Sequence, residues 1–332
     1  MNQKTNCPIC GNSINLNNFL ENYLSPYNKQ EYKLYECHNC FLQWWEPLKA
    51  IPEFYEKEIF ESYIFFHESI LKKPSKWHEA FFRFFPKKSK MRLLDVGCGD
   101  GRFIKYCKKI GFEVWGIDFD KKSIENIKRN YYIDTVFPMS LEEFYQYLKP
   151  KNLKFEVITF FEVLEHQDHP RKFLKIVKSL LKKGGWIAGS VPNRERLFVD
   201  VDWKYFHGDY PPHHFLRFSR LSLKNVLKIS GFSNIEIYPV GLSLLDIPPY
   251  IEKKFFGNLD DLKNKLKFMI VKDKKVSLHT IEDIEAIIKN KNKIMLLKIL
   301  KLIRNFVFLP FSLIYIKKLK ENGQNLYFQA RI

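Results

Sequence analysis

Three sets of residues in this chain could do chemistry by type and spacing. Four cysteines stand as two Cys-x-x-Cys pairs, Cys7 and Cys10 in "CPIC" and Cys37 and Cys40 in "CHNC", with 26 residues between the pairs. Each tight turn offers two thiolates, and two such turns supply the four tetrahedral ligands of a structural zinc. Four sulfurs leave no open position for catalysis and no role for the neighbouring His38. Two disulfides are the alternative, disfavoured in a reducing compartment. The second set is "DVGCGDG", with Asp95, Gly97, Cys98, Gly99, Asp100 and Gly101, followed 21 positions after Gly97 by Asp118. The third is histidine: His166 in one segment, His213 and His214 beyond a rigid Pro-Pro in another, all candidates for a general base near neutral pH.

The glycine loop narrows its own ligand. A phosphate-cradling loop needs Gly-x-x-x-x-Gly-Lys-Ser/Thr, which the chain lacks, and a dinucleotide loop needs a third glycine where Arg102 stands. Carboxylates at Asp95 and Asp100 would repel a pyrophosphate and suit a cation. An acid such as Asp118 suits the two hydroxyls of a ribose. S-adenosylmethionine, with ribose, amino group and sulfonium, meets both demands.

Those residues need elements to position them. Leu93, Leu94 and Val96 form the apolar run of a short strand buried on both faces. Phe103, Ile104, Tyr106 and Cys107 share a helical face that Gly111 can end, and Val114 to Ile117 form a second strand with Asp118 at its carboxyl end. Parallel strand–helix–strand units bind ligands at that end. A third strand is expected in "YIDTVFPMS" (132–140) and a fourth from Val157 to Phe160. Pro170 should open the following helix and Gly184-Gly185 close it. "GFSNIEIYPV" (231–240) reads as a sixth strand.

Residues 93–120 resemble the cofactor-binding motif of class I S-adenosylmethionine-dependent methyltransferases. "FEVITFFEVLEHQDHPRKFLKIVKSLLKKGGWIAGSVPN" (155–193) resembles their fourth strand, next helix and fifth strand. Within that superfamily the chain is similar to the small-molecule enzymes that include the ubiquinone-biosynthesis O-methyltransferases. The resemblance covers about 91–240 plus the last strand, with Phe155-Glu156 where the family usually reads Phe-Asp. It implies a three-layer Rossmann-like α/β sandwich with a seven-stranded, mostly parallel sheet, closed by "NLYFQARI" (325–332) as an antiparallel strand. It further implies S-adenosylmethionine held by Asp95, Gly97, Cys98, Gly99, Gly101, Asp118 and Phe119. Ser140 and Leu141 should edge the adenine, and Phe161 and Glu162 should lie towards the methyl group. His166, His213 or His214 would act as base. As thiols, Cys98 and Cys107 read as small buried residues.

The remaining chain divides into a zinc-ribbon-like segment (1–45), a helical lid or linker (46–90) with apolar residues Phe54, Tyr55, Ile59, Tyr63 and Phe66 at helical spacing, the core (91–240), a helical insertion (241–324) and the final strand. Lys+Arg 55 against Asp+Glu 37 gives a net charge of +18, but the lysines are scattered. That pattern argues against nucleic acid as partner, and the resemblance implies a small-molecule, sugar or lipid-linked acceptor, modified on oxygen rather than nitrogen or carbon. Near misses of the Asn/Asp-Pro-Pro-aromatic motif, "DYPPH" and "IPPY", stand in the wrong places for an amino-methylating enzyme. An RNA methyltransferase gripping RNA by the ribbon, and a non-catalytic binding protein, are the alternatives. The start lacks an apolar signal core, so a cytoplasmic protein is expected. The apolar segment 293–320 is interrupted by Lys298, Lys301 and Arg304 and too short between charges to span a bilayer. It should pack on the sheet or lie peripherally on a membrane.

Overall fold

The computed structural model describes residues 6–49, 74–86, 90–205, 207–257 and 291–332. The chain divides into two compact units, Met1–Arg196 with His207–Gly241 and Asn322–Ile332 in the first, and Leu197–Phe206 with Leu242–Glu321 in the second. Phe54, Tyr55, Ile59, Tyr63 and Phe66 of the expected lid lie outside the described residues, as do 258–290 of the insertion.

The first unit opens with β1 (Phe19–Leu24), β2 (Glu31–Glu36) and β3 (Gln43–Glu46), antiparallel neighbours. Each cysteine pair sits in the same turn. Gly11 N–H donates to Cys7 O at 3.0 Å with φ +75°, and Phe41 N–H donates to Cys37 O at 2.8 Å with φ +60°. The left-handed residue after the second cysteine closes each knuckle, at no steric cost for Gly11. Trp44 and Trp45, neighbours in β3 and so on opposite faces, are both fully buried.

After α1 (Lys76–Phe84) comes the main sheet, built from β4 (Arg92–Val96), β5 (Glu113–Asp118), β6 (Val136–Pro138), β7 (Phe155–Phe161) and β8 (Leu181–Pro192), with two later strands. These five run parallel. Between them lie α2 (Arg102–Lys109), α3 (Lys121–Tyr131), α4 (Leu141–Leu148) and α5 (Pro170–Leu180). Leu93 and Leu94 are both fully buried on opposite faces of β4, because helices cover both. Leu93 lies in one buried cluster with Phe81, Phe103, Ile124 and Val157, and Leu94 in another with Phe144, Phe160, Phe173 and Phe328. Each such side chain removed from water contributes ~1.5–3 kcal/mol. Pro170 opens α5 as expected, its missing N–H costing nothing in the first turn.

Two strand boundaries differ from expectation. β6 is confined to Val136–Pro138 because Tyr132, left-handed at φ 52°, caps α3 and Ser140 caps α4, so both flanks are used as helix ends. Gly184 and Gly185 do not close α5, which ends at Leu180. They lie inside β8, where a Cβ on Gly185 would stand 2.8 Å from Lys182 O.

Short β9 (Leu216–Arg217) leaves the main sheet altogether and pairs with β3, Trp44 opposite Leu216, as the fourth strand of the amino-terminal sheet. Then α7 (Arg220–Ile229) leads to β10 (Ser233–Val240), and β11 (Asn325–Arg331) inserts antiparallel between β10 and β8. The final order is β10-β11-β8-β7-β4-β5-β6. β11 is buried on both faces, Leu326 through Ala330 all being buried.

The second unit holds α6 (Val199–Tyr205), α8 (Pro248–Phe256), α9 (Lys291–Ser312) and α10 (Ile316–Glu321). Phe198, Val201, Ile247 and Ile251 form its core, with Tyr250 stacked on Phe198 at 5.2 Å. Segment 293–320, expected to pack on the sheet or lie peripherally on a membrane, falls in this unit: among its described residues Phe308, Tyr315 and Leu319 pack against the small core, while Phe306 is 84% exposed and Ile314 76%. No helix among the described residues is long and apolar enough to cross a membrane.

Candidate functional site

The turn after β4 is a left-handed glycine loop, with φ +75° at Gly97, +49° at Gly99 and +74° at Gly101. A side chain at Gly97 would place Cβ 2.6 Å from Val163 Cγ2, and one at Gly101 2.5 Å from Ile127 Cγ1. The loop is tied to β5 by backbone bonds from Gly97 and Cys98 to Ile117 O, at 2.8 and 3.0 Å. Asp118 completes the tie: its Oδ2 accepts from Gly99 N–H at 2.8 Å and its Oδ1 from Asp120 N–H at 3.0 Å. The carboxylate expected to face ribose is therefore held rigid by the loop itself.

Asp95 is buried beneath the loop, where Thr159 Oγ1 donates to it at 2.6 Å. Burial pushes its carboxyl up to about 8, with the Thr159 bond opposing and the Asp118 charge adding. Asp100 does not present a free charge, contrary to the sequence argument. It pairs with Arg102, the residue standing where a dinucleotide loop has glycine. Cys98 is buried against Gly116, where a Cβ would reach its sulfur at 3.0 Å, and burial holds its thiol well above the usual range. It is a space-limited structural residue.

The other expected cofactor contacts differ among themselves. Phe119 is exposed beside the carboxyl end of β5. Ser140 spends its hydroxyl on a capping box, accepting from Glu143 N–H at 3.2 Å and donating to Glu143 Oε2 at 2.9 Å. Leu141 is buried in the same core as Phe144. Phe161 packs edge-on against His78, centroids 4.7 Å apart, and against Phe103 at 4.8 Å. His78 was not singled out from the sequence, where it is a lone histidine on the apolar face of α1. Its Nδ1 is buried without a hydrogen-bond partner among the described residues. Burial pushes its imidazole down to about 3, so the ring is neutral.

At the carboxyl ends of β7 and β8 a polar centre gathers. Glu162 adopts φ 55°, strained for a non-glycine residue, and is held there by Ser190 Oγ at 2.5 Å and Asn325 Nδ2 at 2.8 Å. Burial pushes its carboxyl up to about 7 against those two bonds. His166 Nδ1 lies 2.7 Å from His213 O. The rings of His166, His213 and His214 stand 4.5–4.8 Å apart, centroid to centroid. The structure thus brings together all three histidines from two segments 47 residues apart. Burial holds His166 at about 3 and His213 well below its usual range, so both rings are neutral, His166 donating through Nδ1–H to His213 O.

Two acids that the sequence did not single out complete this centre. Asp209 Oδ1 is 3.3 Å from His214 Nδ1, and its Oδ2 pairs with Arg196. Burial works against its charge, but His214 and Arg196 outweigh it and hold the carboxyl well below the usual range. Glu165 is fully buried, with neither oxygen hydrogen-bonded among the described residues, and Oε1 is 3.9 Å from His166 Nε2. Its carboxyl is pushed well up by burial and by Glu162. The only textual hint was an acid inside the apolar run "FEVLEH".

The histidine loop is strapped at its carboxyl end through Phe215. Phe215 N–H donates to Glu165 O at 2.9 Å, and Phe215 O accepts from Trp45 N–H at 3.0 Å. The four cysteine sulfurs lie within 4.8 Å of one another, with Cys7–Cys40 and Cys10–Cys37 at 3.5 Å. That spread brackets the sulfur separation expected of ~2.3 Å zinc–sulfur bonds in a tetrahedron, so the residues fit the metal.

S-adenosylmethionine also fits. The fold offers a left-handed glycine loop packed tightly on Val163 and Ile127, a fixed carboxylate at a parallel strand end, and His78 Nδ1, buried without a hydrogen-bond partner among the described residues.

A family model described as a methyltransferase domain matches residues 68–237. Two similar curated proteins are ubiquinone biosynthesis O-methyltransferases. That of Nitrosococcus oceani is 31% identical over 166 residues, 45% of this chain and 68% of the relative. That of Bordetella avium is 28% identical over 169 residues, 45% of this chain and 67% of the relative. Against the mitochondrial counterpart from Candida albicans, identity is 32% over 126 residues, and the chain spans only 38% of that protein.

Proposed function

This chain belongs to the methyltransferase-domain family, and on that premise we propose that it transfers a methyl group from S-adenosylmethionine to a hydroxyl oxygen of a small-molecule or lipid-linked acceptor. The observation that carries the reading is one juxtaposition. The glycine loop with its fixed Asp118 and the three-histidine centre stand at the same carboxyl edge of one parallel sheet. The names of the curated relatives support oxygen as the acceptor atom.

Bound S-adenosylmethionine supplies a methyl carbon on a sulfonium, already a good leaving group. What the chain must add is position and a proton acceptor. Asp118 would take the ribose hydroxyls, with Phe119 and Leu141 flanking the base; Ser140, occupied by its cap, contributes through backbone placement. Asp95, Gly97, Cys98, Gly99 and Gly101 shape the loop, and Phe161, Glu162 and His78 close the methionine end. On the acceptor side Asp209 fixes the tautomer of His214, leaving Nε2 to take the hydroxyl proton, and His166 and His213 keep the surroundings neutral. The cysteine cluster would hold a structural zinc. Exposed Phe306 of α9 and Ile314 just beyond it would make peripheral contact with a membrane, where a lipid-linked acceptor resides.

Titration calorimetry with S-adenosylmethionine, followed by turnover on hydroxylated acceptors and their deoxy analogues, tests the reading. His214→Ala should cut turnover ~10²–10⁴-fold with cofactor affinity unchanged. No cofactor binding by the wild type, or full activity of His214→Ala, would refute it.

A further inference from the structure

His214 lies on a short turn, and the cysteine-bearing sheet grips that turn on both sides. We propose that Tyr210 is the positioning residue for His214, and that the amino-terminal sheet, fastened by its cysteine cluster, sets the histidine turn through the Tyr210 ring. The role given to His214 rests on the methyl-transfer reading; the grip on its turn does not.

Tyr210 acts through both its backbone and its ring. Its carbonyl accepts from His213 N–H at 3.0 Å and from His214 N–H at 3.1 Å. The preceding residue, Asp209, stands 3.3 Å from His214 Nδ1. Backbone and imidazole of His214 are therefore both fixed relative to Tyr210. The Tyr210 ring is enclosed in turn by side chains of the amino-terminal sheet. Tyr23 of β1 lies 4.3 Å away, centroid to centroid, and Trp45 of β3 5.7 Å. The Arg217 guanidinium of β9 stands 4.6 Å from the Tyr210 ring and 4.9 Å from that of Trp45. Its Nη1 donates to Glu21 of β1 at 3.1 Å. Aromatic pairs and cation–π contacts have preferred geometries, so together they fix the orientation of the ring. Beyond the histidines, Phe215 O accepts from Trp45 N–H. Trp45 thus meets the turn on both sides.

What holds Trp45 and Tyr23 is the cysteine cluster. β1, β2 and β3 are six, six and four residues long, and so small a sheet needs a further fastening. Cys37 follows β2 and Cys40 precedes β3, so four sulfurs on one ion tie the hairpin that carries Trp45 to the first knuckle. Release of the metal would loosen Trp45 and Tyr23, and with them the seat of the Tyr210 ring.

Hydrogen exchange on the full chain reads the grip without reference to catalysis. Tyr210→Leu keeps apolar bulk but loses the ring, and should speed exchange at the N–H groups of His213, His214 and Phe215. Chelator-stripped wild type should do the same, while Gly97 and Gly99 keep their protection in both. Tyr210→Phe keeps the ring and should stay close to wild type. Tyr23→Leu, which removes only the stacked neighbour, should act in the direction of Tyr210→Leu and replaces it if that variant fails to fold. Turnover supplies the second reading. Tyr210→Leu should lower kcat ~10²-fold, as a misplaced catalytic group does, with S-adenosylmethionine affinity unchanged. In a His214→Ala background the same substitution should cost nothing further, because Tyr210 acts through that imidazole. Unchanged exchange at His213 and His214 in both the leucine variants and the stripped protein overturns the proposal. An equal loss of turnover with and without His214 overturns it too. Exchange that responds as stated in a protein with no methyl transfer would support the grip and refute the reaction.

Discussion

Replacing Gly97 by alanine tests the geometry of the cofactor loop most directly. At φ +75° an L-residue pays for the left-handed conformation with ~1–2 kcal/mol. The new Cβ would also stand 2.6 Å from Val163 Cγ2, well inside van der Waals contact. Valine is stiff at χ1 and cannot swing away, so this overlap adds ~1–3 kcal/mol. The sum, about 2–5 kcal/mol, is a large part of the ~5–15 kcal/mol that typically holds a domain together. The two contributions separate in a double-mutant cycle. Val163→Ala alone, at a half-buried site, should cost about 1 kcal/mol. In the pair the overlap disappears and only the backbone strain stays. Gly97→Ala/Val163→Ala should therefore be no less stable than Gly97→Ala, with a coupling of ~1–3 kcal/mol in its favour. Urea unfolding at fixed m-value measures this, and calorimetry with S-adenosylmethionine should show affinity lost in the single variant and partly regained in the double. Strict additivity of the two single costs would refute the claim that Val163 dictates glycine at this position.

Asp118→Ala should weaken S-adenosylmethionine binding by ~1.5–3 kcal/mol, since it removes a charge-assisted acceptor and also frees the Gly99 N–H that the carboxylate fixes; unchanged affinity in a titration would remove the ribose assignment. Cys37→Ser/Cys40→Ser should lose one zinc per chain and, because Trp44 pairs with Leu216 two residues beyond His214, should lower turnover as well, read by metal analysis alongside activity. Asp95 has a folded-state pKa of about 8 against an ordinary value of 3.8, so its contribution is fully present below about pH 4 and lost as pH rises through 8. Asp95→Asn, which keeps an oxygen for Thr159, should flatten that part of the stability profile. Parallel profiles for wild type and variant between pH 5 and 9 would show that Asp95 is not the group responsible.

Local patterns carried much of this protein. The loop glycines, Asp118, the two cysteine knuckles and most strands of the main sheet were legible because each is written within a few dozen consecutive residues, in alternation, spacing or turn chemistry. Pro170 at the head of α5 is the simplest case, a residue whose backbone admits few alternatives. Where local reading failed, the deciding contact came from elsewhere in the chain. Asp100 looked like a free charge until Arg102 turned onto it, and only the fold shows that the Ser140 hydroxyl caps its own helix. His78 became interesting only when α1 laid it against Phe161, 83 positions away in number. The polar centre shows the same limit more fully: Glu162 is held by Asn325, His166 by the carbonyl of His213, and the loop between them by Trp45 of the amino-terminal sheet. A sequence states which residues are able to titrate or bind a metal. Whether they meet, and whether water or a neighbour's charge reaches them, depends on burial by segments far along the chain, and that is decided only when the tertiary structure closes over them.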